Sequence, residues 1–123
     1  MDRILLVAAG GALGALLRYG VEGYVDDRLG PTVLGTFLVN VSGALVLGLF
    51  LGLTEERFMA PALARTAVAI GFLGAYTTFS TLMFESVDLA ESGSIATAML
   101  NIGGSVAAGL AAVYAGLTLG RSL

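Results

Sequence analysis

The sequence predicts an all-α membrane protein of four transmembrane helices, the third broken at mid-membrane, forming a single domain over residues 1–123. Three observations carry this prediction. The chain is 57% hydrophobic and 12% charged, with a mean hydropathy of +0.92, whereas charged residues make up about a quarter of an ordinary soluble domain. The charged residues cut it into four apolar pieces, each close to the roughly 20 residues that a helical span needs. The third piece contains Gly71-Phe72-Leu73-Gly74-Ala75-Tyr76-Thr77-Thr78-Phe79-Ser80-Thr81, with hydroxyls at five of the six positions from Tyr76 to Thr81.

The first span runs from Ile4 to about Tyr19 and contains Arg18. It is read as a retained helix: the apolar run is long, no small-residue cleavage pattern follows, and Arg18-Tyr19 stands where a signal-peptide cleavage region belongs. The second, from Val33 to Leu53, holds no charge. The third runs from Thr66 to Phe84 and the fourth from about Ile95 to Leu119. Short polar connections are expected at Glu22 to Pro31, Thr54 to Pro61 and Glu85 to Ser94, with Asp26-Asp27 and Glu55-Glu56 as solvated turns. Pro31 and Pro61 each precede a span, where proline suits the first helical turn.

Glycines recur four apart at Gly10 and Gly14, Gly48 and Gly52, and Gly116 and Gly120. Small residues at this spacing let helix backbones approach closely, and packing of that kind drives helix association in lipid. With four spans, Arg3, Arg57, Arg65 and Arg121 share one side against Arg28 and Arg18, which favours cytoplasmic termini. The setting is the cell membrane, which is the inner membrane in a Gram-negative host.

There is no cysteine and no histidine. That removes disulfides, thiol nucleophiles, thiolate metal sites, and the commonest general base and metal ligand. The net charge of -3 comes from short loops, none large enough for a catalytic domain, so an enzyme is not expected, nor a nucleic-acid partner.

The polar residues within the spans carry the functional reading. Backbone that leaves the helix at mid-depth must find partners for its N–H and C=O groups, and it is tolerated only where it is buried in protein or lines a cavity. A broken intramembrane helix therefore points to an ion or substrate site. Arg18 lies about 22 Å along the helix from Arg3, near the far interface. Two roles are open for it, a snorkelling anchor beside Tyr19 or a fixed positive charge in a vestibule that concentrates anions. Asn40 is either an interhelical bond or an amide donor that replaces water around a small anion, with Thr36 one turn earlier on the same face. Asn101 and Ser105 are four apart in the last span, with Gly109 continuing that face. Phe79 and Leu82 share a face, as ordinary packing or as a pore wall where the positive edge of the ring faces an anion. The path so assembled has hydroxyl and amide donors, and no carboxylate is expected within the spans.

Gly11-Ala12-Leu13-Gly14-Ala15-Leu16-Leu17-Arg18-Tyr19, Gly35-Thr36-Phe37-Leu38-Val39-Asn40-Val41-Ser42-Gly43 and the Gly71 to Thr81 motif together resemble the Fluc (CrcB) fluoride channels in order and spacing. The resemblance covers essentially the whole chain, and the third motif is the most specific. It implies an antiparallel, dual-topology dimer with two fluoride pores and one central Na+ that is structural and not transported. The backbone carbonyls of Gly74 and Thr77 match those that hold this ion. Asn40 matches the pore asparagine, Phe79 the first pore phenylalanine, Ser105 the polar-track serine and Arg18 the vestibule arginine. Thr36, Thr78 and Glu85 also fall on positions the family uses. The chain departs from the pattern at Leu82, where many members have a second phenylalanine, and at Asn101, where some have tyrosine.

The implied function is passive export of fluoride across the bilayer, which lowers fluoride toxicity. Other classes are a small proton-coupled multidrug exporter, which needs an intramembrane carboxylate, and a structural subunit, which leaves the polar stripes unexplained. An antiparallel homodimer is favoured, because one chain carries Arg18, Asn40, Phe79 and the break. A heterodimer with an oppositely inserted paralogue is the alternative that the arginine bias keeps open.

Overall fold

In lipid every backbone polar group must be satisfied within the protein, and a helix does so within its own segment. The computed structural model describes residues 2–55 and 60–123 and is built from helices that make four spans long and apolar enough to cross a membrane. We label them α1 (Asp2–Leu29), α2 (Leu34–Glu55), α3 (residues 62–76), α4 (Phe79–Glu91) and α5 (Ile95–Ser122). Together α3 and α4 form the third span, Ala62–Glu91. The chain is thus a multi-pass membrane protein.

The first helix runs ten residues beyond its expected end at Tyr19, through Asp26 and Asp27, which are helical and not a turn. Charge ends an apolar run, but it does not end a helix. The stop is Gly30, whose φ of +79° is the left-handed conformation open to glycine; its N–H donates to Asp26 O at 2.8 Å, and Pro31 follows. Arg28 lies over the ring of Tyr24, 4.6 Å from its centroid. At the start of α2 the Thr32 hydroxyl accepts from Leu34 N at 3.2 Å. Pro61 immediately precedes α3, as expected of a helix start. The α4 helix ends in a Schellman arrangement, with Ser94 N donating to Leu89 O at 2.8 Å and Gly93 N to Ala90 O at 3.1 Å. At the far end of α2, Glu55 is helical and receives two bonds from Arg121, at 2.8 and 3.1 Å. Glu56 and Arg57 lie outside the described residues.

Two helix pairs make the bundle. The more extensive contact is between α2 and α5, and the next joins α1 to α3. Both depend on the glycines. A Cβ on Gly10 would sit 2.6 Å from Ala67 O, and one on Gly14 would overlap Phe72 O. The buried apolar core is small, with Val25, Val39, Leu73, Tyr76, Leu82 and Ala98. The outer faces carry exposed Leu13, Leu16, Leu100, Val106 and Leu110, as a lipid-embedded bundle requires.

Candidate functional site at the break of the third span

The break is narrower than the Gly71 to Thr81 motif suggests. The third span is α-helical at Ala62–Arg65, π-helical over Thr66–Leu73 and α-helical again over Gly74–Tyr76. Only Thr77 (φ -85°, ψ 156°) and Thr78 (φ -145°, ψ 123°) are extended. Glycine at position 74 could be expected to permit the backbone turn that frees the Gly74 and Thr77 carbonyls, but Gly74 does not make the turn: its φ of -61° and ψ of -35° are helical. No neighbour among the described residues needs its lack of a side chain either, since a Cβ there meets only Ala69 O at 3.7 Å.

Side chains from other helices account for the break. Asn40 grips Thr78 at both ends of its amide, with Nδ2 donating to Thr78 O at 2.9 Å and Oδ1 accepting from Thr78 N at 2.7 Å. Arg18 Nε donates to Ala75 O at 3.1 Å. Thr78 caps α4, its hydroxyl accepting from Thr81 N at 3.3 Å and donating to Thr81 Oγ1 at 3.1 Å. In a continuous helix Thr78 N and Thr81 N would donate to Gly74 O and Thr77 O. Here both are turned elsewhere, so these two carbonyls lose their helical donors. The peptide between Thr77 and Thr78 is trans, with C=O opposite N–H, so the bond to Asn40 aims the Thr77 carbonyl away from α2.

Arg18 is thus held at the level of the break, and α1 continues eleven residues past it to Leu29. Of the two roles left open for Asn40, the structure shows the interhelical bond, which does not use up its amide. One Nδ2 hydrogen is spent on Thr78 and the second remains, on a side chain lining a cavity of about 440 Å³ with Thr77, Thr78, Phe79, Leu82 and Ser105. Phe79 is 74% exposed in the single chain.

Ser105 also lines a second cavity of about 330 Å³ with Thr97 and Asn101, and Thr97 and Val33 line a third with Thr32, Glu85 and Asp88. Neighbouring cavities thus share lining residues. Helical serine and threonine hydroxyls usually bond back to their own helix, and Ser42, Thr54, Thr77, Ser86 and Thr118 do so. Ser105 Oγ is buried and has no hydrogen-bond partner among the described residues, so its proton is uncommitted. Asn101 donates to Ser86 Oγ at 3.0 Å.

Thr36 lies off this cavity: it is 2% exposed and donates to Glu85 Oε1 at 2.7 Å. The expectation of carboxylate-free spans is corrected at this point. Glu22 lies inside α1 and Glu85 inside α4, each with one buried oxygen lacking a hydrogen-bond partner among the described residues. Residue patterning set both in connections because their helices outlast the apolar runs; the resemblance picked out Glu85, and only Glu22 was missed. Sequence reasoning also missed Thr97, although its spacing of four from Asn101 is legible.

The family model described as CrcB-like protein, Camphor Resistance (CrcB), matches residues 5–117. A protein of Maridesulfovibrio salexigens named fluoride-specific ion channel FluC is 50% identical over 123 residues, covering 98% of this chain and 97% of the relative. Proteins of the same name from Acidobacterium capsulatum and Nitratidesulfovibrio vulgaris are 42% and 43% identical, each covering 98% of both chains. These matches run over nearly the whole chain, and the chain belongs to the CrcB family.

Proposed function

We propose that the chain is one subunit of a passive, fluoride-specific channel that exports the ion through the cell membrane and so lowers its toxicity. The carrying observation is the cavity beside the break, where the second amide hydrogen of Asn40 and the unreturned hydroxyl of Ser105 stand with the ring of Phe79. Fluoride holds its water tightly, so closely placed donors must replace hydration. The open rim of that cavity and the exposure of Phe79 are what a second subunit would cover. An antiparallel homodimer supplies it.

The same reading places one structural Na+ between two subunits, held by the carbonyls of Gly74 and Thr77 from each. The donor set suits a hard monovalent cation, since these carbonyls have lost their helical donors and stand at the end of a half-helix, where the dipole is negative. The bare surface at Gly74 admits close approach of a partner. Bound there, the ion would offset repulsion among the facing carbonyl dipoles.

Efflux from liposomes tests the reading. Purified protein should release fluoride and not chloride, and replacing Na+ by a large organic cation should lower the fluoride flux without any Na+ current. Equal efflux of the two halides would overturn the fluoride reading, and drug-driven proton exchange would point to an exporter using Glu22 or Glu85. A C-terminal tag labelled strictly from one side would exclude the dual-topology homodimer and favour a paralogous partner.

A further inference from the structure

Tyr76 is the last residue before the break and is 8% exposed. Its hydroxyl lies 3.0 Å from Ser42 Oγ on α2. Ser42 has one proton to give, and Leu38 O is nearer at 2.6 Å. With that proton committed to its own helix, Ser42 can only accept, so Tyr76 is the donor. The Tyr76 ring is stacked on Phe72, with centroids 6.3 Å apart and planes within 2°. Gly43 completes the contact: a Cβ there would stand 3.1 Å from the Tyr76 ring and overlap the Thr77 methyl. Residues 40, 42 and 43 of α2 thus hold the break from both sides. Asn40 takes Thr78, while Ser42 and Gly43 seat Tyr76 and Thr77.

The hydrogen bond from the Thr78 N–H to Asn40 sets the direction of the Thr77–Thr78 peptide, and the Thr77 N–H and hydroxyl, both donating to Leu73 O at 3.2 Å, tie the preceding residue to its own half-helix, whose end must in turn be fixed against α2. We infer that the Tyr76–Ser42 hydroxyl pair fixes the end of that half-helix against α2, and that Tyr76 is a positioning residue for the Thr77 carbonyl and so for the cation at the break. This rests on the cation reading above. Its consequence is specific: losing the pair should weaken the response to Na+ while leaving the fluoride path, which Tyr76 does not line, able to conduct.

The test is fluoride efflux measured against Na+ concentration for the wild-type channel and for Tyr76→Phe, Ser42→Ala, the double variant and Ser42→Thr. Tyr76→Phe keeps the ring and its stacking, and should raise the Na+ concentration for half-maximal flux about threefold, as loss of one neutral hydrogen bond implies. The flux at saturating Na+ should stay near wild type. Ser42→Ala should give the same shift, the double variant no further shift, and Ser42→Thr, which retains the hydroxyl, the wild-type midpoint. An unshifted midpoint in Tyr76→Phe, or additive shifts in the double variant, overturns the lock while leaving the cation reading intact. Wild-type flux that is indifferent to Na+ overturns both. If Tyr76→Phe does not fold, the Ser42→Ala and Ser42→Thr pair decides by the same midpoint.

Discussion

The α2–α5 pair and the third span meet the same demand in opposite ways. α2 and α5 remain unbroken and approach through glycine: a Cβ on Gly52 would stand 2.6 Å from Leu117 O, one on Gly120 would stand 2.6 Å from Leu49 O, and those on Gly48 and Gly116 would overlap Val113 O and Leu45 O. Each helix keeps its own backbone ladder. The third span opens its ladder and borrows partners from Arg18 of α1 and Asn40 of α2. The difference teaches that the site is secured by its neighbours: Asn40 can hold Thr78 only while α2 is fixed, and α2 is fixed by its contact with α5. Substitutions in the frame should therefore cost the fold, and those at the break should cost the flux.

The sharpest way to break the comparison is Gly116→Val. Its side chain would enter the space of Leu45 O and Leu49 N, and overpacking of this kind costs about 1–3 kcal/mol, occasionally more. With no alternative backbone separation at hand, the folded species should be lost, seen as aggregation in size-exclusion chromatography. A normal elution profile with unchanged melting temperature would show that the glycine contact is not what fixes the frame.

Next in size is Asn40→Ala. It leaves the Thr78 N–H and C=O without their side-chain partner, a penalty of about 1–3 kcal/mol for each buried unsatisfied group, at a position where alanine favours the helix. The frame should keep the protein folded while fluoride efflux falls more than about tenfold, the factor that 1.4 kcal/mol represents. Normal flux would mean that the amide serves packing alone. The smallest effect is expected from Leu82→Phe. Leu82 lines the cavity with Phe79, and an added ring there extends the aromatic wall, so flux should equal or exceed wild type. A complete block would show that the cavity has no room to spare.

Much of this was legible because it is local. Apolar runs mark spans wherever they occur, and the motif from Gly71 to Thr81 marked the break within a few residues. The helix ends were misread at Tyr19 and Phe84 for a single reason. Hydropathy reports where lipid would be, whereas a helix continues through Glu22, Asp26 and Glu85 until a residue such as Gly30 or Gly93 stops it. The resemblance named Asn40, Ser105, Gly74 and Thr77, but not why those carbonyls differ from their neighbours.

The sequence alone determined the number of spans, the glycine faces that bring them together and the segment that must break, since each follows from residue type and spacing. Only the tertiary structure decided which backbone groups the break releases. Arg18 lies 57 residues from Ala75, and Asn40 lies 38 from Thr78. The two side chains claim the Ala75 and Thr78 carbonyls and turn the Thr78 N–H away from Gly74. A hydrogen bond is a matter of angles and a few tenths of an ångström, and no local pattern sets those between residues so far apart.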